Sequence, residues 1–343
     1  MPLPALTAFR EKHAHSASPL PQVIAGGLVR VSGASPHGGA EEDPVEIEAA
    51  ADLPDTLRRM KDGGVDFLKV HGPISPDTYE AVAATARELG LPFAGDAGLR
   101  QSLDDIAAAG QQTIEHNAYG FHGCGPDTED YLGRAAAARL ANNNERVDQV
   151  YVSYVSNLDW QACAPVLRRL AAAGVAWTPT LGIDIGFADF IDPAVLESFP
   201  SDSVCGRVRD SLREAGLEAE QDLYDAAVTV LSNLNAAGVT LLAGTGSPES
   251  CLPHGRALPW EIQMLSALGL SRVEALRAAT VNPANVFGYA DDYGRIEQGY
   301  AADIVFYDVS PAEDLQQLSA PSGLYTKGRY LSAAELAGLR TAG

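Results

Sequence analysis

Lysine, cysteine, methionine and tryptophan are all scarce in this chain, and the shortages narrow what it can be. Only four of its 24 basic residues are lysine (Lys12, Lys61, Lys69 and Lys327), set against 45 acidic residues in a chain of 343. The formal charge of -21 argues against nucleic acid, whose phosphates recruit Lys and Arg, and against an anionic membrane surface. The four cysteines (Cys124, Cys163, Cys205 and Cys251) show neither metal-ligand spacing nor a disulfide framework. By default that places the chain in a reduced, cytoplasmic setting. No apolar run approaches the ~18 residues of a spanning helix. The opening MPLPALTAFREKHAH carries Arg10 and Lys12 where a secretory signal needs an unbroken apolar stretch. The clusters GASPHGG and GTGSP lack the spacing of a phosphate loop that opens a helix, so no nucleotide is implied.

What the chain does have is a repeated phrase: a helix ends in Gly, a short apolar strand follows, and a polar side chain closes the strand. It occurs as DGGVDFLKVHG, ELGLPFAGDAG, AAGQQTIEHN, AAGVAWTPTL and AAGVTLLAGTG. The strand-end residues are Lys69 and His71, Asp96, Glu115 and His116, Thr178 and Thr180, and Thr245. Such alternation predicts an α/β fold, a TIM-like (β/α) barrel with its chemistry at the carboxyl ends of the strands. An early strand over 22–31 brings the count to six units, where a closed barrel needs eight. Either two strands lie in segments whose pattern does not show them, or the barrel is open, with edges that call for a partner or a homodimer.

Helix punctuation supports the repeat. Ser75 and Pro76 open a helix closed by Gly90, Ser102 with Asp105 opens one closed by Gly110, and Ser271 with Glu274 opens one that stops before Pro283. Residues 118–150 and Gly182 to roughly Asp210 read as long excursions, the second with Phe187, Phe190 and Phe199 available to line a pocket. The segments GRIEQGYAADIVFYDV and GLYTKGRYLS alternate like strands. Residues 1–290 therefore read as the barrel domain and 291–343 as a small C-terminal β appendage.

The block SRVEALRAATVNPANVFGYADDYGRIEQGYAADIVFYD, with PHGRALPWEIQML, LLAGTGSP, TIEH and DFLKVHG upstream, resembles the amidohydrolase superfamily, especially its imidazolonepropionase and prolidase-like branch. The resemblance implies a metal-dependent hydrolase barrel. Its metal ligands are an HxH pair on the first strand, a carboxylated Lys or a Glu on the fourth, His on the fifth and sixth, and Asp on the eighth. Lys69 matches the fourth-strand Lys and His116 the sixth-strand His. Asp96 stands where the fifth-strand His belongs and Gly246 where the Asp belongs, and no strand carrying HxH is apparent. His13 and His15, in the polar stretch FREKHAHSAS, read as surface histidines. The two-metal set is thus incomplete. Lys69 as a carbamate, Asp96 and His116 form at best a single Zn or Mn site.

The metal-free reading is preferred, with no cofactor. A cationic Lys69 then needs a compensating charge, which Asp96 on the neighbouring strand supplies. His116 completes a Lys-Asp-His row suited to proton transfer; the plain structural reading of that row is an inert ion pair. Substrate contacts are expected from His71, on the same face as Lys69, from Tyr119 with His122 in a lid, from Thr180 and Thr245 at strand ends, and from His254 in the loop after the last barrel strand. The expected function is an enzyme acting on a small cyclic or carbonyl-containing molecule by acid–base chemistry: ring opening or closure, dehydration or isomerisation. The alternatives are a single-metal hydrolase of a non-peptide C–N bond, or a non-catalytic or shortened member of the superfamily.

Overall fold

A computed structural model of the chain describes residues 3–13, 23–31, 45–47, 53–71, 74–97, 101–117, 121, 124–125, 128–140, 144–184, 221–247, 252 and 255–341. Its first half contains α1 (Leu3–His13), β1 (Gly26–Val31), β2 (Val45–Ile47), α2 (Leu53–Asp62), β3 (Phe67–Val70), α3 (Pro76–Leu89), β4 (Phe93–Asp96), α4 (Leu103–Ala109) and β5 (Thr113–Glu115). Three helices follow, α5 (Thr128–Leu140), α6 (Asn144–Asn157) and α7 (Trp160–Ala172), then β6 (Ala176–Thr178) and the short α8 (Leu181–Asp184). A helix at 221–236 (α9) leads into β7 (Thr240–Leu241), α10 (Ala257–Ala267), α11 (Arg272–Ala278) and α12 (Val281–Val286). The chain closes with β8 (Ile304–Phe306), β9 (Gly323–Thr326), β10 (Arg329–Ser332) and α13 (Ala333–Thr341).

Strands β1 to β7 form one parallel sheet in the order β2-β1-β3-β4-β5-β6-β7, and β8 to β10 a separate antiparallel sheet. This is the barrel-type α/β architecture expected from the repeat, with its small β appendage. Among the described residues β2 and β7 each pair on one side only.

Register sorts the parallel strands into two faces. Leu28, Lys69 and Ala94 lie abreast, as do Asp96, Glu115 and Thr178; residues two apart on a strand share a face, so one face is small and polar. The opposite face presents Val29, Leu68, Val70, Phe93, Ile114, Trp177 and Leu241, all buried in the core. Leu53, Leu57 and Met60 of α2, Tyr79 and Val82 of α3, and Leu167 and Leu170 of α7 cover it. Burying such apolar surface, at roughly 25 cal/mol per Å², holds these helices to one side of the sheet, away from the polar face.

The predicted helix ends are present. Ser75 and Ser102 accept from the backbone N–H three residues on, Ser271 and Glu274 form a reciprocal capping box, and Gly90 (φ 64°) and Gly110 (φ 81°) close their helices in the left-handed conformation. In the β9–β10 hairpin Lys327 (φ 48°) and Gly328 (φ 77°) make a two-residue turn with both φ values positive, which matches the twist of paired strands.

Two expectations are corrected. The stretch 118–150 holds α5 and much of α6, so it is mostly helical among its described residues. The helix opened by Ser271 stops at Ala278, before Pro283 as expected, and Pro283 sits in the first turn of α12, where its missing N–H costs nothing. Cys124 and Cys163, expected to be free, form a disulfide across 39 residues. Neither spacing nor composition shows this pair, because the fold lays the segment after β5 against α7. The reduced setting inferred from unpaired cysteines loses its basis with it. Cys205 and Cys251 lie outside the described residues, and no helix among those described is long and apolar enough to cross a membrane.

Candidate functional site

The carboxyl ends of β3, β4 and β5 bring Lys69, Asp96, Glu115 and His116 together. Gly95 shapes the middle strand: its φ of 131° suits glycine, and a side chain there would fall onto the Val70 carbonyl oxygen. The close approach of β3 to β4 thus sets the direction of Asp96, the next residue. Beneath it Tyr79 donates to Gln111 Oε1 at 2.6 Å, and Gln111 Nε2 donates to the Gly95 and Thr113 carbonyls at 2.8 Å each. Burial pushes the Tyr79 hydroxyl pKa up, keeping it a proton donor.

Strand alternation alone would send Glu115 and His116 to opposite faces. The chain turns instead at His116, whose φ is 65°. Its N–H donates to Thr178 O at 2.9 Å and its carbonyl accepts Trp177 Nε1–H at 3.0 Å. Trp177 stacks on Phe121 with ring centroids 5.3 Å apart. The backbone is therefore held on both sides of the left-handed residue, and the imidazole swings over β4.

Two close pairings of side chains result. Lys69 Nζ lies 3.8 Å from Glu115 Oε2, and His116 Nε2 lies 3.7 Å from Asp96 Oδ1. This corrects the expected pairing: among the described residues Lys69 reaches across β4 to Glu115, and Asp96 faces His116. Register explains the exchange, because Lys69 lies abreast of Ala94 while Asp96 lies one step further along, abreast of Glu115. Thr113 Oγ1 donates to Glu115 Oε1 at 2.8 Å, which orients the carboxylate toward Lys69.

The ring of His116 has a defined proton. Its Nδ1 lies 2.6 Å from Thr180 Oγ1, and that hydroxyl donates to Pro179 O at 2.8 Å. One hydroxyl carries one proton, so both contacts are hydrogen bonds only if Nδ1–H donates to Thr180. Nε2 then turns its remaining valence toward Asp96.

Of the other expected contacts, Thr180 joins the site directly. His71 follows β3, and its N–H continues the ladder to Val29 O at 3.1 Å. Thr245 accepts from Ser247 N at 3.2 Å in a turn after β7, so its hydroxyl serves the loop. Tyr119, His122 and His254 lie outside the described residues, as do His15 and the Phe187–Phe199 segment. Helix α1, which ends at His13, is tied by Arg10 to Gly64, Val23 and Asp66 at the opposite end of the sheet. Glu115 and Glu261 were missed as site residues. Glu115 could have been found from its register with Asp96, whereas Glu261 sits mid-helix with no local signal.

The donor set was tested against a metal. Asp96 and His116 offer two adjacent ligand atoms, Lys69 engages Glu115, and no group of three or more His, Cys, Asp or Glu is placed to hold an ion among the described residues. A catalytic zinc commonly takes three protein ligands, so the described residues do not complete such a centre.

Residues 228–331 match the amidohydrolase family model. Bottromycin amidohydrolase superposes with a TM-score of 0.70 at 23% identity, covering 98% of this chain and 70% of that one. A Xaa-Pro dipeptidase with bound methionine in the active site gives 0.59 at 16% identity, over 96% of this chain and 72% of its own. In sequence, ochratoxinase of Aspergillus niger is 28% identical over 135 residues, 38% of this chain and 26% of that protein's length. The chain has the fold seen in these amidohydrolase structures, and its residues 228–331 carry the family's sequence pattern.

Proposed function

We propose that this protein is an enzyme that hydrolyses an amide C–N bond in a small, cyclic carbonyl-containing molecule, using proton transfer by its own side chains. The observation that carries the reading is the His116–Asp96 contact of 3.7 Å. It is too long for a hydrogen bond and close enough to share one proton with a third atom. In this reading the Lys69 ammonium polarises the substrate carbonyl, and the oxyanion that forms stays beside it. Water adds to the carbonyl carbon as Asp96 and His116 take its proton. The C–N bond then breaks, and the same proton passes to the departing nitrogen.

Magnitude points to the substrate class. Metal-bound water has a pKa of about 7 against 15.7 in bulk, whereas positioned acid–base groups contribute roughly 10²–10⁴-fold. Side chains alone therefore suit an activated or ring-strained amide, and hydrolytic ring opening is the reaction expected. The names of the superposed proteins, an amidohydrolase and a dipeptidase, support C–N hydrolysis as the class.

A second reading, a hydrolase with one Zn or Mn at Asp96 and His116, is favoured by the Nδ1–H tautomer, which leaves Nε2 available as a ligand. One experiment separates the two. Purified protein is offered a panel of cyclic amides, N-acyl amino acids and dipeptides, before and after exhaustive chelation, with products followed by mass spectrometry. Ring-opened product that survives chelation and disappears in His116→Ala and Lys69→Ala is expected. Turnover that vanishes with a stoichiometric metal and returns when it is restored moves the function to the second reading, and a panel left wholly unconsumed removes amide hydrolysis.

A further inference from the structure

We infer that Glu261 is a positioning residue for His116, acting through Thr180. The inference rests on the reading of His116 as a proton-transfer group, and it adds a residue that neither the repeat nor the family resemblance marks. Glu261 lies on α10 and is 2% exposed. Its Oε1 accepts Leu181 N–H at 2.9 Å and its Oε2 accepts Gly182 N–H at 3.1 Å. A carboxylate at that depth is tolerated only when its oxygens are hydrogen-bonded, and among its partners are the peptide N–H groups directly after Thr180.

Thr180 needs that hold. Three non-glycine residues among those described have a left-handed φ, and two of them are His116 (65°) and Thr180 (49°). For a β-branched residue this conformation is strained, and it persists where the surroundings over-determine it. By fixing the next two peptide units, Glu261 holds the Thr180 backbone in place. The Thr180 hydroxyl is then presented to His116 Nδ1 at 2.6 Å while its own proton goes to Pro179 O. The chain of contacts runs from a buried carboxylate on α10, through the turn after β6, to the tautomer of a residue on β5. Loss of Glu261 should free the turn, and with it the side of the ring that carries the proton.

The test reads the tautomer rather than turnover. ¹⁵N-histidine NMR is recorded, at a pH where the imidazole is neutral, on the full-length wild type, Glu261→Gln, Glu261→Ala, Thr180→Val and the double variant Thr180→Val/Glu261→Ala. The His116 signals are assigned by their loss in His116→Gln. Expected are a protonated Nδ1 in the wild type, a reduced share of that form in Glu261→Gln, and its loss in Glu261→Ala and Thr180→Val. The double variant should match Thr180→Val alone, since Glu261 acts through that hydroxyl. A wild-type proton on Nε2, or an unchanged tautomer in either folded Glu261 variant, overturns the assignment; if the alanine variant does not fold, the glutamine variant decides. Because no substrate is involved, a shifted tautomer in a protein that consumes no amide sinks the proposed function and leaves this inference standing.

Discussion

The two ends of the parallel sheet use charge in opposite ways. At the amino end Asp66 accepts Ala25 N–H at 2.7 Å and pairs with Arg10, which also reaches Gly64 O at 2.6 Å and Val23 O at 2.9 Å. These contacts close α1 over the loops that enter β1 and β3. At the carboxyl end the pairs stand 3.7 and 3.8 Å apart, beside two residues held in a left-handed backbone. Direct hydrogen bonds leave no room for a third atom, whereas these gaps do. One end is arranged for cohesion, and under the proposed function the other is arranged to receive a substrate.

Three substitutions sharpen or break that contrast. The largest effect is expected from Asp96→Asn, which keeps shape and removes the charge facing His116. Hydrolysis should fall by about 10²–10⁴-fold with little change in melting temperature. Retained turnover in that variant would make the carboxyl end as purely structural as the amino end. Next comes Arg10→Ala, expected to lower stability by about 1–2 kcal/mol in urea titration, since it strips a half-exposed Asp66 of its cation, while kcat stays at the wild-type value. A loss of turnover without a loss of stability would refute the division of labour.

The smallest effect belongs to the side of the barrel, where Arg169 of α7 grips Asp104 of α4 at 2.7 and 2.9 Å. Its hydrogen bonds hold the Asp104 carboxyl below the usual value. A carboxylate depressed in the folded state stabilises above its unfolded pKa of ~3.9 and ceases to as pH falls through the folded value. Asp104→Asn should therefore cost about 0.2–1 kcal/mol at neutral pH, as for other solvated pairs. The gap between variant and wild type should close as the medium is taken below about pH 4, read from paired urea midpoints.

The strand ends were legible because each follows a Gly-terminated helix, and Ser75, Ser102 and Ser271 announced their caps. Lys69, Asp96 and His116 could thus be placed at one end of the sheet from local pattern alone. Who pairs with whom was not legible. The reach of Lys69 over β4 to Glu115 depends on register between three strands, and the position of His116 on a left-handed φ that histidine tolerates but that the local pattern does not require. The Cys124–Cys163 bond and the hold of Glu261 on the turn after β6 join segments distant in sequence. Composition carries no trace of such meetings.

The sulfur link between Cys124 and Cys163 has a practical corollary at the bench. Phe121, three residues before Cys124, is the ring that lies on Trp177, and Trp177 grips the His116 carbonyl. Both cysteines are buried, so the link is set as the chain folds, and preparations folded with and without dithiothreitol should be treated as different reagents.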